Sequence, residues 1–203
     1  MQIDPTLQSE VENYKLLTNL IIPRPIAWIT SMNESDVINL APFSFFNAIS
    51  SDPIYVVIGI GERDSGGLKD TAKNILLTKD FVINMITENL LSAMNVSAID
   101  FPPEESEVTA AKLNTLSSVK IKTPRLKESL VSLECKLFKS ESLGSSTLII
   151  GEIVMFHVDD KIIGPRAHIS GYAPIGRLGS PSMYCRTNDR FELRRLNRWP
   201  IQE

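Results

Sequence analysis

Apolar residues along this chain recur at two periods, and the change from one to the other divides it into elements. Residues 26–31 (IAWITS) are β-branched and aromatic and predict a strand. They follow Pro23-Arg24-Pro25, which forbids helix and favours extended chain. Residues 32–36 are polar and turn-like, and 37–40 predict a short return strand that makes a hairpin. Residues 54–60 (IYVVIGI) are almost continuously apolar, as in a buried strand. Residues 81–86 predict another strand, and 130–140 alternate as a half-buried strand does. Residues 146–158 are long, β-branched and apolar on both faces, which suits a barrel strand, and 161–164 start a last strand or a hairpin. Helical spacing is confined to 69–79, to 89–98 with Leu90, Leu91 and Met94, and to a short stretch within 104–113. Residues 1–22 form a lead-in whose Leu16, Leu17, Leu20, Ile21 and Ile22 are apolar enough to pack on the body. Helices in the middle and strands towards both ends predict a mainly β (α+β) domain rather than alternating βαβ units. No repeat, low-complexity stretch or linker interrupts the pattern, so residues 1–203 are expected to form one domain.

Composition narrows the function classes. The chain has 203 residues, of which 43% are hydrophobic and 22% charged, values that permit a sizeable core. A net charge of −3 argues against nucleic acid as a partner. Cys135 and Cys185 form neither a CxxC pair nor a metal-ligand spacing, and a reducing cytoplasm is the simplest compartment. The first residues lack the basic and apolar run of a signal peptide, and no apolar stretch approaches the ~20 residues that cross a bilayer, so no membrane association is expected. The arginines at 186, 190, 194, 195 and 198 are interrupted by acids and suit a solvated tail.

Several chemistries leave no trace. There is no GxGxxG after a strand, no P-loop and no GxSxG elbow. The two histidines, His157 and His168, are not spaced as a metal motif, so no metal site is expected. Three features remain. A glycine-rich loop (Gly59, Gly61, Gly66, Gly67) enters a helix at Lys69-Asp70-Thr71, and a helix start with unpaired N–H groups accepts a phosphate. The alternative is an ordinary helix start, capped by Ser65 or Asp70, with Lys69 in solvent. Residues 41–47 interleave Phe43, Phe45 and Phe46 with Ser44 and Asn47, a mixture that can wall a planar heterocycle or simply fill the core. Thr30-Ser31 at a strand end can hold a ribityl chain or a phosphate, or serve turn hydrogen bonds.

Taken in order, these residues resemble the flavin reductase-like, FMN-binding split-barrel family, in particular its flavoredoxin-like branch. The resemblance rests on Arg24-Pro25-Ile26-Ala27 running into Thr30-Ser31, on Asn39 to Asn47, on Ser51-Asp52-Pro53, on Lys69-Asp70-Thr71 with Asn74, and on Phe81-Val82-Ile83-Asn84. It continues through Ser132 to Cys135, Ile150 to Ile153, Pro174, Gly176 to Gly179, Tyr184 and Arg186-Thr187, covering about residues 20–193. It implies a Greek-key split β-barrel with added helices, paired as a homodimer with FMN near the subunit interface. Thr30 and Ser31 would then touch the flavin's polar side or ribityl chain. Ala41, Pro42, Phe43 and Ser44 would line the isoalloxazine edge, with Asn47 a further contact. Lys69, Asp70 and Thr71 would lie at the phosphate, and Arg177 and Tyr184 would approach the flavin, with the partner subunit as one source for them. His168 is the weak candidate for a catalytic role near a nicotinamide. The implied activity is hydride transfer from NADH or NADPH to flavin, serving an oxygenase or another acceptor. A flavoredoxin-like electron carrier for a protein partner is the alternative. One departure is visible: family members often carry Gly in the first hairpin, where this chain has Glu34-Ser35-Asp36. Trp28, Cys135 and His157 are read as structural.

Overall fold

The computed structural model describes residues 1–193, so Arg194, Arg195 and Arg198 of the expected solvated tail lie outside the described residues. In chain order the helices are α1 (Glu10–Leu20), α2 (Asp70–Thr78), α3 (Leu91–Val96) and α4 (Glu107–Ala110). The strands are β1 (Ala27–Met32), β2 (Ile38–Phe43), β3 (Phe46–Ser51), β4 (Ile54–Gly61), β5 (Asp80–Asn84), β6 (Thr115–Leu116), β7 (Arg125–Leu126), β8 (Val131–Leu143), β9 (Ser146–Val158), β10 (Gly176–Arg177) and β11 (Tyr184–Cys185). Residues 161–164 are no strand; a lone bridge joins Ile163 to Ile169.

Seven strands form one antiparallel sheet in the order β2-β1-β5-β8-β9-β4-β3. Three hairpins, β1–β2, β3–β4 and β8–β9, are joined by crossovers that set β5 beside β1 and β9 beside β4. The sheet curls so that β1, β4, β5, β8 and β9 bury one common cluster. It includes Ile29, Ile58, Phe81, Cys135 and Ile149, and α2 plugs it with Ala72 and Ile75. The result is a mainly β split barrel with added helices. Gly151 is required where β9 passes under Phe81, because a Cβ there would lie 2.5 Å from the ring.

Strand β1 is buried along its whole length because both of its faces are covered. Ala27 and Ile29 face the barrel interior. Trp28 faces a second cluster with Leu90, Met94, Val108 and Leu126, and its indole N–H donates to Ser97 Oγ at 2.8 Å. In the first hairpin Asp36 takes the left-handed conformation (φ 60°) that glycine usually supplies. The Asn33 carbonyl Oδ1 steadies the turn by accepting from the Ser35 and Val37 amides, both at 2.9 Å.

Two expectations need correction. The lead-in is a true helix, started by a capping box in which Ser9 and Glu12 exchange hydrogen bonds. Of its five named apolar residues only Leu16 is half-buried; Leu17, Leu20, Ile21 and Ile22 are exposed. Strand β4 is also not buried on both faces. Val56, Ile58 and Ile60 point inward, while Tyr55 and Val57 lie half-exposed on the outer face. Among the described residues, no helix is long and apolar enough to cross a membrane.

Candidate functional site

An open cleft of about 540 Å³, counting its mouth, lies between the edge of β2 and the start of α2. Ala41, Pro42 and Phe43 form one wall. Ile99 and Phe101, from the segment after α3, line it as well. Arg63, Lys69, Asp70 and Thr71 supply its polar end.

Local sequence explains each wall. Strand β2 is a sheet edge, so alternate backbone groups face away from the sheet. Ile38 O accepts from Ser106 Oγ at 2.6 Å, and Leu40 N donates to Glu107 Oε2 at 2.9 Å, so α4 covers that part of the edge. Pro42 is next in this alternation and brings no N–H, which an edge strand tolerates. At the polar end, Gly66 and Gly67 adopt φ of 86° and 83°, a tight turn closed by a bond from Arg63 N to Gly67 O at 2.9 Å. That turn delivers Arg63 to the head of α2. Lys69 is the N-cap residue, and its side chain makes no capping hydrogen bond. Among the described residues neither Ser65 nor Asp70 caps the helix, so the first amides of α2 have no side-chain hydrogen-bond partner, while Asp70 sets an acid in the first turn. The Asp70 carboxylate turns instead to Arg63, in a short ion pair, and to Lys73 at 3.7 Å.

A layer of hydroxyl and amide groups backs the polar end. Asn39 Nδ2 donates to Thr71 Oγ1 at 2.8 Å and to Ser31 Oγ at 3.4 Å, and Asn74 Nδ2 donates to Ser31 Oγ at 3.3 Å. A smaller cavity behind this layer shares Asn39, Asp70 and Glu107 with the cleft. Glu107 is only 7% exposed. Desolvation raises its carboxyl above the ordinary glutamate range, with a smaller push from the charge on Asp70 and against the lowering effect of the Leu40 amide.

The sequence-derived candidates thus fall into groups. Ala41, Pro42, Phe43, Lys69, Asp70 and Thr71 line the cleft together, with Ser31 one layer behind. Thr30 does not join them. Strand alternation sends its side chain to the opposite face, where its hydroxyl donates to Pro124 O at 2.7 Å and accepts from Asn84 Nδ2 at 3.3 Å. Ser44 accepts from the buried Arg24 guanidinium at 3.3 Å. Arg24 also donates to Thr18 O, Ile21 O and Leu178 O, pinning the end of α1 to the body. Close by, Arg177 and Tyr184 pair with each other across β10–β11, with Arg177 Nη1 donating to Tyr184 Oη at 2.6 Å. Asn47 is exposed on β3, and its Oδ1 accepts from Ala48 N at 2.9 Å. His168 is exposed at the end of a 3-10 turn and does not line the cleft. Arg63, Asn39 and Glu107 were missed by sequence reasoning. Arg63 had a signal, as the cation at the head of the glycine turn; Asn39 and Glu107 lie on elements whose meeting no local spacing announces.

The split barrel is the fold of flavin reductase-like proteins. The chain belongs to that family: the model of the flavin reductase like domain matches residues 19–189. Nitrilotriacetate monooxygenase component B from Bacillus cereus is similar in structure, with a TM-score of 0.90, 35% identity, and coverage of 95% of this chain and 98% of its own. The 2-nitrobenzoate 2-nitroreductase NbaA from Pseudomonas fluorescens superposes with a TM-score of 0.90 at 33% identity, covering 99% of each chain. Flavoredoxin of Desulfovibrio vulgaris (Miyazaki F) shares the fold, with a TM-score of 0.76 at 15% identity over 85% of this chain and 91% of its own.

Proposed function

We propose that the cleft binds FMN and that the protein is an NAD(P)H-dependent flavin oxidoreductase. The observation that carries this reading is the joint lining of one cleft by an apolar platform and an anion-accepting helix start. The residues fit the cofactor. Arg63, Lys69, the Thr71 hydroxyl and the first amides of α2 suit a phosphate. Pro42 and Phe43, with Ile99 and Phe101, suit a planar ring, and the edge of β2 adds backbone acceptors for its polar rim. When bound, the flavin supplies the redox chemistry, accepting a hydride from NADH or NADPH. The chain's own task is then to bind, orient and shield, a task that calls for no nucleophile or acid–base motif.

Two features bear on partners. On the outer face of β4 and β8 the rings of Tyr55 and Phe138 lie 4.6 Å apart at a tilt of 33°; Phe138, and Phe156 on β9, are exposed, and α1 leaves Leu17 and Leu20 uncovered. Apolar surface of this extent supports a second copy of the chain as its cover, in a homodimer. The likeness to a monooxygenase component supports delivery of reduced flavin to an oxygenase. Anaerobic mixing of the flavin-loaded protein with NADH or NADPH tests the activity. Loss of the visible flavin absorbance with at least one nucleotide is expected. Persistence of that absorbance with both would contradict the reductase reading and leave an electron carrier.

A further inference from the structure

We propose that Glu107 makes occupancy of the cleft by a phosphate-bearing ligand proton-linked, taking a proton from solvent when the anion enters and presenting a neutral hydrogen-bonding wall. The inference rests on the flavin reading of the same cleft. Two acids stand at its polar end, and they are not equivalent. Asp70 on α2 is ion-paired with Arg63 and Lys73. Glu107 makes no ion pair among the described residues, is only 7% exposed, and accepts from the Leu40 amide at Oε2, at 2.9 Å. Glu107 is a lining residue of both the cleft and the smaller cavity.

The charges around Glu107 decide the direction. Strand β2, which α4 packs against, carries no titratable side chain. From α2 comes Asp70, and from the loop before it come Arg63 and Lys69. The segment after α3 brings Asp100, and the approach to α4 brings Glu105. Both cations are the ones a phosphate would engage, so they do not become available to Glu107 when the cleft fills. An incoming anion removes water from the carboxyl and adds negative charge beside it. Both effects favour the protonated form. Burial already holds the free carboxyl above the ordinary glutamate range. A protonated Glu107 keeps its acceptor for Leu40 and gains an O–H that can donate to ligand or bound water.

The test compares FMN with riboflavin, which lacks the phosphate. Calorimetric titration of each ligand, in buffers of different ionisation enthalpy across the acid-to-neutral range, counts protons taken up by wild type and by Glu107→Gln. The Gln amide still accepts from Leu40 and mimics the protonated acid. With FMN, wild type is expected to take up to about one more proton than the Gln variant, and its affinity should fall relative to the variant by up to about tenfold per pH unit above the pKa of free Glu107. The phosphate's own titration is common to both and cancels. With riboflavin the two proteins should match. An infrared difference spectrum of the unmodified protein reports the same event, as a protonated-carboxyl carbonyl band that appears on FMN binding and not on riboflavin binding. Parallel pH profiles, equal proton counts and no such band, with FMN bound, overturn the role of Glu107 and leave the flavin site standing. Failure of wild type to bind FMN at any pH overturns both.

Discussion

Thr30 and Ser31 are adjacent and equally buried, yet they belong to different regions of the molecule. Ser31 backs the cleft through Asn39 and Asn74, whereas Thr30 serves a sealed network on the other face of β1. At the centre of that network Asn84 donates to Trp28 O and Thr30 Oγ1 and accepts from Leu126 N and Ser132 Oγ. Thr30→Val keeps the shape but leaves Pro124 O without its donor. It should cost roughly 1–3 kcal/mol in denaturant unfolding, with flavin affinity unchanged. A weaker flavin complex at full stability would contradict the placement. The helix start at Lys69-Asp70-Thr71 was legible from the glycine-rich loop that precedes a run of helical spacing. The paired hydroxyls were not, because a dipeptide on a strand buried on both faces always splits between two environments.

At the scale of elements, the long strands were readable from their periods. The return strand was expected to end at residue 40 and instead runs to Phe43 in β2, because Pro42 sits on the edge and costs no ladder bond. Strand β3 was hidden in a phenylalanine-rich segment that does not alternate, and α1 was hidden by a weak apolar pattern, although its Ser-x-x-Glu capping box was present in the sequence. The β8–β9 hairpin shows how one buried carboxylate organises a loop. Glu134 accepts from the amides of Val119 and Lys120 at 2.6 and 2.7 Å and meets His157 Nε2 at 2.5 Å. Desolvation pushes its carboxyl up, but the His157 bond, the two amides and the imidazole charge outweigh that and hold it below the ordinary glutamate range. A depressed carboxylate stabilises the fold above its unfolded pKa and loses that contribution as pH falls through the folded value. Glu134→Gln should therefore lower the melting temperature most at neutral pH, with the gap to wild type closing as the buffer is made acidic. A gap that stays constant down to the acid limit would rule out the ionised latch.

At the scale of the molecule, the barrel holds two distant segments in register: the edge of β2 and the head of α2, fixed together by Asn39 bonding Thr71. That juxtaposition is what a phosphate-tailed planar cofactor requires, and it is the part of the site that sequence order could suggest but not place. The charge pairing of Arg63 with Asp70 and the burial of Glu107 arise only once the loop, α2 and α4 converge. A crystal structure of the protein grown with excess FMN would show where the flavin sits. The ring is expected against Ala41, Pro42 and Phe43, with the phosphate within hydrogen-bonding distance of the first amides of α2 and of Lys69. Flavin bound at another surface, with this cleft holding only water, would contradict that placement.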